Sequence, residues 1–100
     1  MSGVIYVTVI ISCHENKIQD CLSSAFKFKA KSLKEEGCIS LIITQPPENL
    51  SKIILLETYT SHAAFEQHQD QPYTAEFGRT VAEEYAKFVH FHMSSEVVTP

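Results

Sequence analysis

The run Val4-Ile5-Tyr6-Val7-Thr8-Val9-Ile10-Ile11 carries apolar side chains on both of its alternating faces, and this constrains the fold more than any other feature of the chain. Side chains alternate along a strand, so Ile5, Val7, Val9 and Ile11 share one face while Val4, Tyr6 and Ile10 share the other. A sheet with one face in water would instead alternate apolar with polar. Two later runs repeat the pattern. Leu41 and Ile43 lie opposite Ile42, and Ile53 and Leu55 lie opposite Ile54 and Leu56. A sheet built from such strands needs cover on both sides.

The order of elements limits what that cover can be. After the first strand, Ile18, Cys21, Leu22, Ala25, Phe28 and Leu33 recur at three- and four-residue steps, predicting an amphipathic helix that ends before Gly37. Cys38 to Thr44 reads as a second strand, closed by Gln45-Pro46-Pro47, and Ile53 to Tyr59 as a third that pairs with it in a hairpin. Thr60 or Ser61 caps a short helix from His62 to Gln69, which stops at the Gln71-Pro72 step. Tyr73, Phe77, Val81, Tyr85 and Phe88 then predict a third helical segment, and Val89 to Val98 a last strand. The order β-α-β-β-α-β predicts an α+β, ferredoxin-like fold: a four-stranded antiparallel sheet with its helices on one face. With 100 residues the chain reads as one domain, 1–100, too short to supply a second layer of its own. A second copy is the simplest cover, and a homodimer is expected.

Composition narrows the partners. Eight Lys and Arg against twelve Asp and Glu give a net charge of -4 with no basic cluster, which argues against nucleic acid and anionic membranes. No apolar run approaches the ~20 residues of a membrane span, and Met1-Ser2-Gly3 lacks the basic flank of a signal peptide, so a cytoplasmic location is expected. Cys13, Cys21 and Cys38 show no CxxC spacing and read as reduced thiols.

The segment Glu57-Thr58-Tyr59-Thr60-Ser61-His62-Ala63-Ala64-Phe65-Glu66-Gln67-His68, continuing through Gln71-Pro72-Tyr73 to Phe77, resembles the antibiotic biosynthesis monooxygenase (ABM) domain family. In that family a strand ends in Glu-x-Trp or Glu-x-Tyr, a capped turn leads into a helix bearing Ala, an aromatic or Leu, and His, and another helix follows a short break. Glu36-Gly37-Cys38 also fits the family's Glu-x-Gly-Cys junction between first helix and second strand. The resemblance implies the dimeric α/β-barrel form of the fold. It spans oxygenases that oxidise quinols or phenols without metal or flavin, haem-degrading relatives, and an isomerase. The chain has no Trp, and Phe77 stands where the haem branch would place its histidine, so haem degradation is not expected. Tyr59 occupies the position of a Trp common among the phenol oxygenases.

Glu57 and Tyr59 project from one face of their strand, and the turn after them folds the helix bearing His68 back toward it. Such a trio suits a cofactor-independent monooxygenase. His68, a side chain whose ordinary pKa is about 6.5, would remove a phenolic proton, Glu57 would orient it, and Tyr59 would offer its hydroxyl to the substrate. Phe65, Tyr73 and Phe77 flank the break at Pro72 and are expected to line the slot for a small aromatic or quinol-like molecule. The same residues are also compatible with plain packing, with a non-catalytic ligand-binding or stress-associated dimer, or with an isomerase. No cofactor or metal is expected. His90 and His92 share one face of the last strand but have no evident third ligand, and a substrate-pocket, interface or solvated role remains open for them. Cys38 reads as a small buried hydrophobe, and Arg79 as an anion ligand, a solvated side chain, or a partner of Glu76 or Glu83.

Overall fold

The computed structural model describes residues 3–99; Met1, Ser2 and Pro100 lie outside it, and with them most of the amino-terminal tripeptide read above. Strands β1 (Ile5–Cys13), β2 (Cys38–Thr44), β3 (Lys52–Tyr59) and β4 (Ala86–Ser94) form one antiparallel sheet in the order β2-β3-β1-β4. Helices α1 (Ile18–Ser32), α2 (His62–Gln69) and α3 (Pro72–Thr80) complete the ferredoxin-like α+β fold predicted from the element order. Among the described residues no helix is long and apolar enough to cross a membrane.

The register sorts the strand residues onto two faces. Val7 pairs with Glu57, Val9 with Leu55 and Ile11 with Ile53, and this set faces the helices. Helix α1 lays Cys21, Ala25, Phe28 and Ser32 against it, a four-three-four spacing that keeps one stripe buried. Ile11, Leu41, Ile53, Leu55, Cys21, Phe28 and Val81 form the main core. A second cluster of Val7, Cys38, Tyr59, Ala64 and Phe65 anchors α2 beside it. Ser61 caps α2, its hydroxyl accepting from the Ala64 N–H at 3.0 Å.

Among the described residues no helix lies over the opposite face. Tyr6, Ile42, Leu56 and Phe88 all lie there, and Ile42 and Phe88 are 51% and 53% exposed. The two-sided apolar pattern of the strands therefore corresponds to one face packed by the chain's own helices and one left bare.

The end of the chain departs from the sequence reading. The aromatic repeat predicted a helix reaching Phe88, whereas α3 ends at Thr80, residues Val81–Tyr85 form a π-turn, and β4 begins at Ala86. The wider π-turn brings the Tyr85 carbonyl to the His14 N–H at 2.9 Å, and Ala86 adopts extended backbone opposite Cys13 at a bulge between Ser12 and Cys13. Phe88 thus belongs to a strand, and it faces the bare side. Strand β4 ends at Ser94, short of the predicted Val98, and residues 95–99 have no regular structure.

Candidate functional site

On the helix-bearing side, the break between α2 and α3 leaves a cavity of about 290 Å³ between those helices and β1, β3 and β4. Its walls are mostly apolar and include Phe65 and Phe77 but not Tyr73, joined by Phe28 and Phe91. Phe28 and Phe77, both in the lining, stack with ring centroids 4.3 Å apart and planes 9° from parallel. The polar lining comes from Glu57, His68, Gln69 and Thr74.

His68 projects from the last turn of α2 and is only 2% exposed. Its Nδ1 lies 2.9 Å from Glu35 Oε2, and the Tyr73 hydroxyl donates to that same oxygen. A carboxylate oxygen that takes a hydroxyl proton serves as an acceptor, so Nδ1 carries the hydrogen and donates to it. The other ring nitrogen, Nε2, lies 3.8 Å from Glu57 Oε1. The imidazole therefore sits between two carboxyl groups, hydrogen-bonded to one and near the other.

Glu57, near the end of β3, is buried, and burial pushes its carboxyl above the ordinary value. The Tyr59 hydroxyl and His68 pull it back in part, while Glu35 pushes it further up. Tyr59 donates to Glu57 Oε1 at 2.5 Å and is completely buried. Burial, then the neighbouring Glu57, raise the Tyr59 phenol, so it stays protonated as a donor.

The structure thus brings Glu57, Tyr59 and His68 together but distributes them differently from the sequence reading. The carboxylate bonded to the imidazole is Glu35, which the sequence reading passed over. Glu57 is instead a cavity-lining group, and the Tyr59 hydroxyl lies behind it, committed to Glu57 and away from the cavity wall. Tyr73 holds Glu35 and lines a separate shallow groove, with Lys31 Nζ 5.6 Å from its ring centroid. A signal for Glu35 was present: the Glu-x-Gly-Cys spacing falls on Glu35-Glu36-Gly37-Cys38. Thr74 and Gln69 carried no comparable mark.

The remaining candidates lie elsewhere. His90 and His92 pair with Ile10 and Thr8 on the bare face of the sheet, remote from the cavity walls. Among the described residues no three His, Cys, Asp or Glu side chains are grouped as a metal site. Cys13, Cys21 and Cys38 are buried free thiols, and burial with Glu35 and Glu57 nearby pushes the Cys38 thiol up to about 11. Arg79 pairs with Glu83 one turn along at 3.8 Å on the exposed surface.

Comparison with known proteins adds to this geometry. A family model described as antibiotic biosynthesis monooxygenase matches residues 4–80. A protein from Shewanella oneidensis superposes with a TM-score of 0.92 at 16% identity, covering 99% of this chain and 96% of that one. A conserved protein from Methanosarcina mazei Go1 gives 0.89 at 22% identity, covering 96% and 95%. A protein from Bacteroides thetaiotaomicron, described as of unknown function and a possible oxidoreductase, gives 0.87 at 19%, covering 94% and 98%. At these identities the structural likeness speaks to the fold alone. No curated protein matches the chain.

Proposed function

Because this chain belongs to the antibiotic biosynthesis monooxygenase family, we propose that its cavity oxidises a phenol or quinol with dioxygen and without a cofactor. The observation that carries this reading is the His68 imidazole at an apolar cavity, its Nδ1 held by Glu35 at 2.9 Å and its Nε2 3.8 Å from Glu57. A phenol entering between Phe65 and Phe77 gives its proton to Nε2. The imidazolium so formed is flanked by Glu35 and Glu57, which stabilise the positive charge as it develops. The electron-rich phenolate passes one electron to dioxygen, and recombination at a ring carbon gives a hydroperoxide. Loss of water from it leaves a quinone: one phenol and one dioxygen become one quinone and one water. Apolar walls suit this sequence because they admit dioxygen and a flat ring while keeping bulk water from the phenolate.

The reading extends to assembly. A second copy laid over the bare sheet face would bury Ile42, Leu56 and Phe88 at roughly 25 cal/mol per Å² of apolar surface.

Oxygen uptake with a panel of quinols and naphthols tests the chemistry. Turnover by the native protein, reduced about 10²- to 10⁴-fold in His68→Ala, supports the reading. Ligand binding with no oxygen consumed would make the protein a small-molecule-binding dimer instead, and product rearranged without oxygen would make it an isomerase.

A further inference from the structure

Strand β4 puts His90 and His92 on the bare face of the sheet, opposite Ile10 and Thr8 of β1. Both imidazoles are exposed in the single chain. His90 packs edge-on against Phe88, with ring centroids 5.4 Å apart and planes at 85°, so it belongs to the same apolar patch. Around the two rings the face is almost free of charge. The titratable or charged side chains that share it are Tyr6 on β1, Lys52 at the start of β3 and the histidines themselves, while β2 contributes Ser40, Ile42 and Thr44. Among the described strand residues of this face there is no Asp or Glu. The carboxylate nearest to His92 along the chain is Glu96, in the irregular tail beyond β4.

We propose that His90 and His92 make the pairing of two copies proton-sensitive: the dimer forms with these imidazoles neutral and separates when they take up protons. This rests on the proposed sheet-to-sheet assembly and adds its regulation. A neutral, apolar face with one lysine at its margin offers a charged partner little to pair with and matches another copy of itself. An imidazole ordinarily takes its proton near pH 6.5. In the single chain water solvates that charge, because both rings are exposed. Pressed against a second apolar face, the charge would lose its water with no carboxylate to answer it, and two copies would bring like charges together. The sign follows. Burial favours the neutral form, so pairing is at full strength above pH 6.5 and weakens as the pH falls below it, because the separated chains bind protons that the dimer excludes.

Sedimentation of the full chain at pH 8 and pH 5.5, with circular dichroism following the fold at each, tests the inference. Each imidazole kept from its proton in the dimer should raise the dissociation constant about tenfold at pH 5.5, so one per protomer gives about 10²-fold and both give about 10⁴-fold. His90→Gln combined with His92→Gln keeps polar side chains without the titration and should bring the ratio to about one. Should that double variant fail to pair at pH 8, the single variants carry the test, and at least one of them should lower the native ratio about tenfold. The variants retain His14, His62 and His68, so a pH effect that persists undiminished in them overturns the inference. A native ratio below about tenfold overturns it too and leaves the assembly standing. A native protein that is already monomeric at pH 8 and micromolar concentration overturns both.

Discussion

Glu35, in the loop between α1 and β2, and His68, on α2, lie 33 residues apart in sequence and meet side chain to side chain at 2.9 Å. The contact decides which imidazole nitrogen bears hydrogen, since Glu35 Oε2 accepts from both Nδ1 and the Tyr73 hydroxyl. Glu35→Gln could present an amide N–H to Nδ1 and favour the other tautomer, placing the hydrogen on Nε2 where the substrate proton should go. This substitution should lower kcat with the quinol by about tenfold to a hundredfold while changing KM little. Tyr73→Phe, which loosens Glu35 without touching the imidazole, should give a smaller loss in the same direction. Steady-state oxygen uptake measures both.

Glu57 supplies a pH signature. Its buried carboxyl sits above its ordinary value, so the folded chain favours the protonated form more than the unfolded chain does. The sign follows directly: stability is full below the unfolded value and falls as pH rises through the folded one. Glu57→Gln removes the ionisation while still accepting from the Tyr59 hydroxyl. It should melt higher than the native protein at pH 7, with a gap that narrows toward pH 4, and it should turn over more slowly. Thermal melts across that range check the first two statements.

Gly37 and Gly78 should respond oppositely to the same change. A Cβ on Gly37 would overlap Ala64 Cβ and lie 3.4 Å from Thr60 Oγ1, where the start of β2 runs against α2. The Gly37 carbonyl also accepts from the Thr60 N–H at 2.9 Å, so the backbone has little room to retreat. Gly37→Ala should cost about 1–3 kcal/mol and shift α2, and His68 with it. A Cβ on Gly78 meets nothing within 4 Å, and alanine suits the helix better there. Gly78→Ala should add about 0.5–1 kcal/mol to stability in a denaturant titration.

How much of this could be read from residues alone depended on distance along the chain. Alternation in β1 and β3 and the three-four spacing in α1 are local patterns, and the element order they give settles the sheet topology. Glu57 and His68 were legible because one turn joins β3 to α2. The Glu35–His68 contact was not, because the α1–β2 loop meets α2 only through tertiary packing. Tyr59 was misplaced for a subtler reason: alternation puts it on the same face as Glu57, but only the packing of Val7, Ala64 and Phe65 around it shows that this part of the face is filled. Phe88 fell into a helical repeat that the π-turn cuts short, and the backbone bond between His14 and Tyr85 that accompanies the turn leaves no trace in hydropathy.

Leu56 tests the proposed assembly, because it sits on the bare face of the sheet, paired with Thr8 and Ile42, and touches neither the helices' core nor the cavity. It is 39% exposed in the single chain, so a lysine there has a route to water and should leave the monomer's own packing intact. In a face-to-face dimer the same lysine would be buried against apolar neighbours with no carboxylate at adjacent register positions, and a buried unpaired charge costs several kcal/mol. Leu56→Lys should therefore sediment as a folded monomer at micromolar concentration where the native protein sediments as a dimer. A native protein that sediments as a monomer would show that the bare face is stable in water.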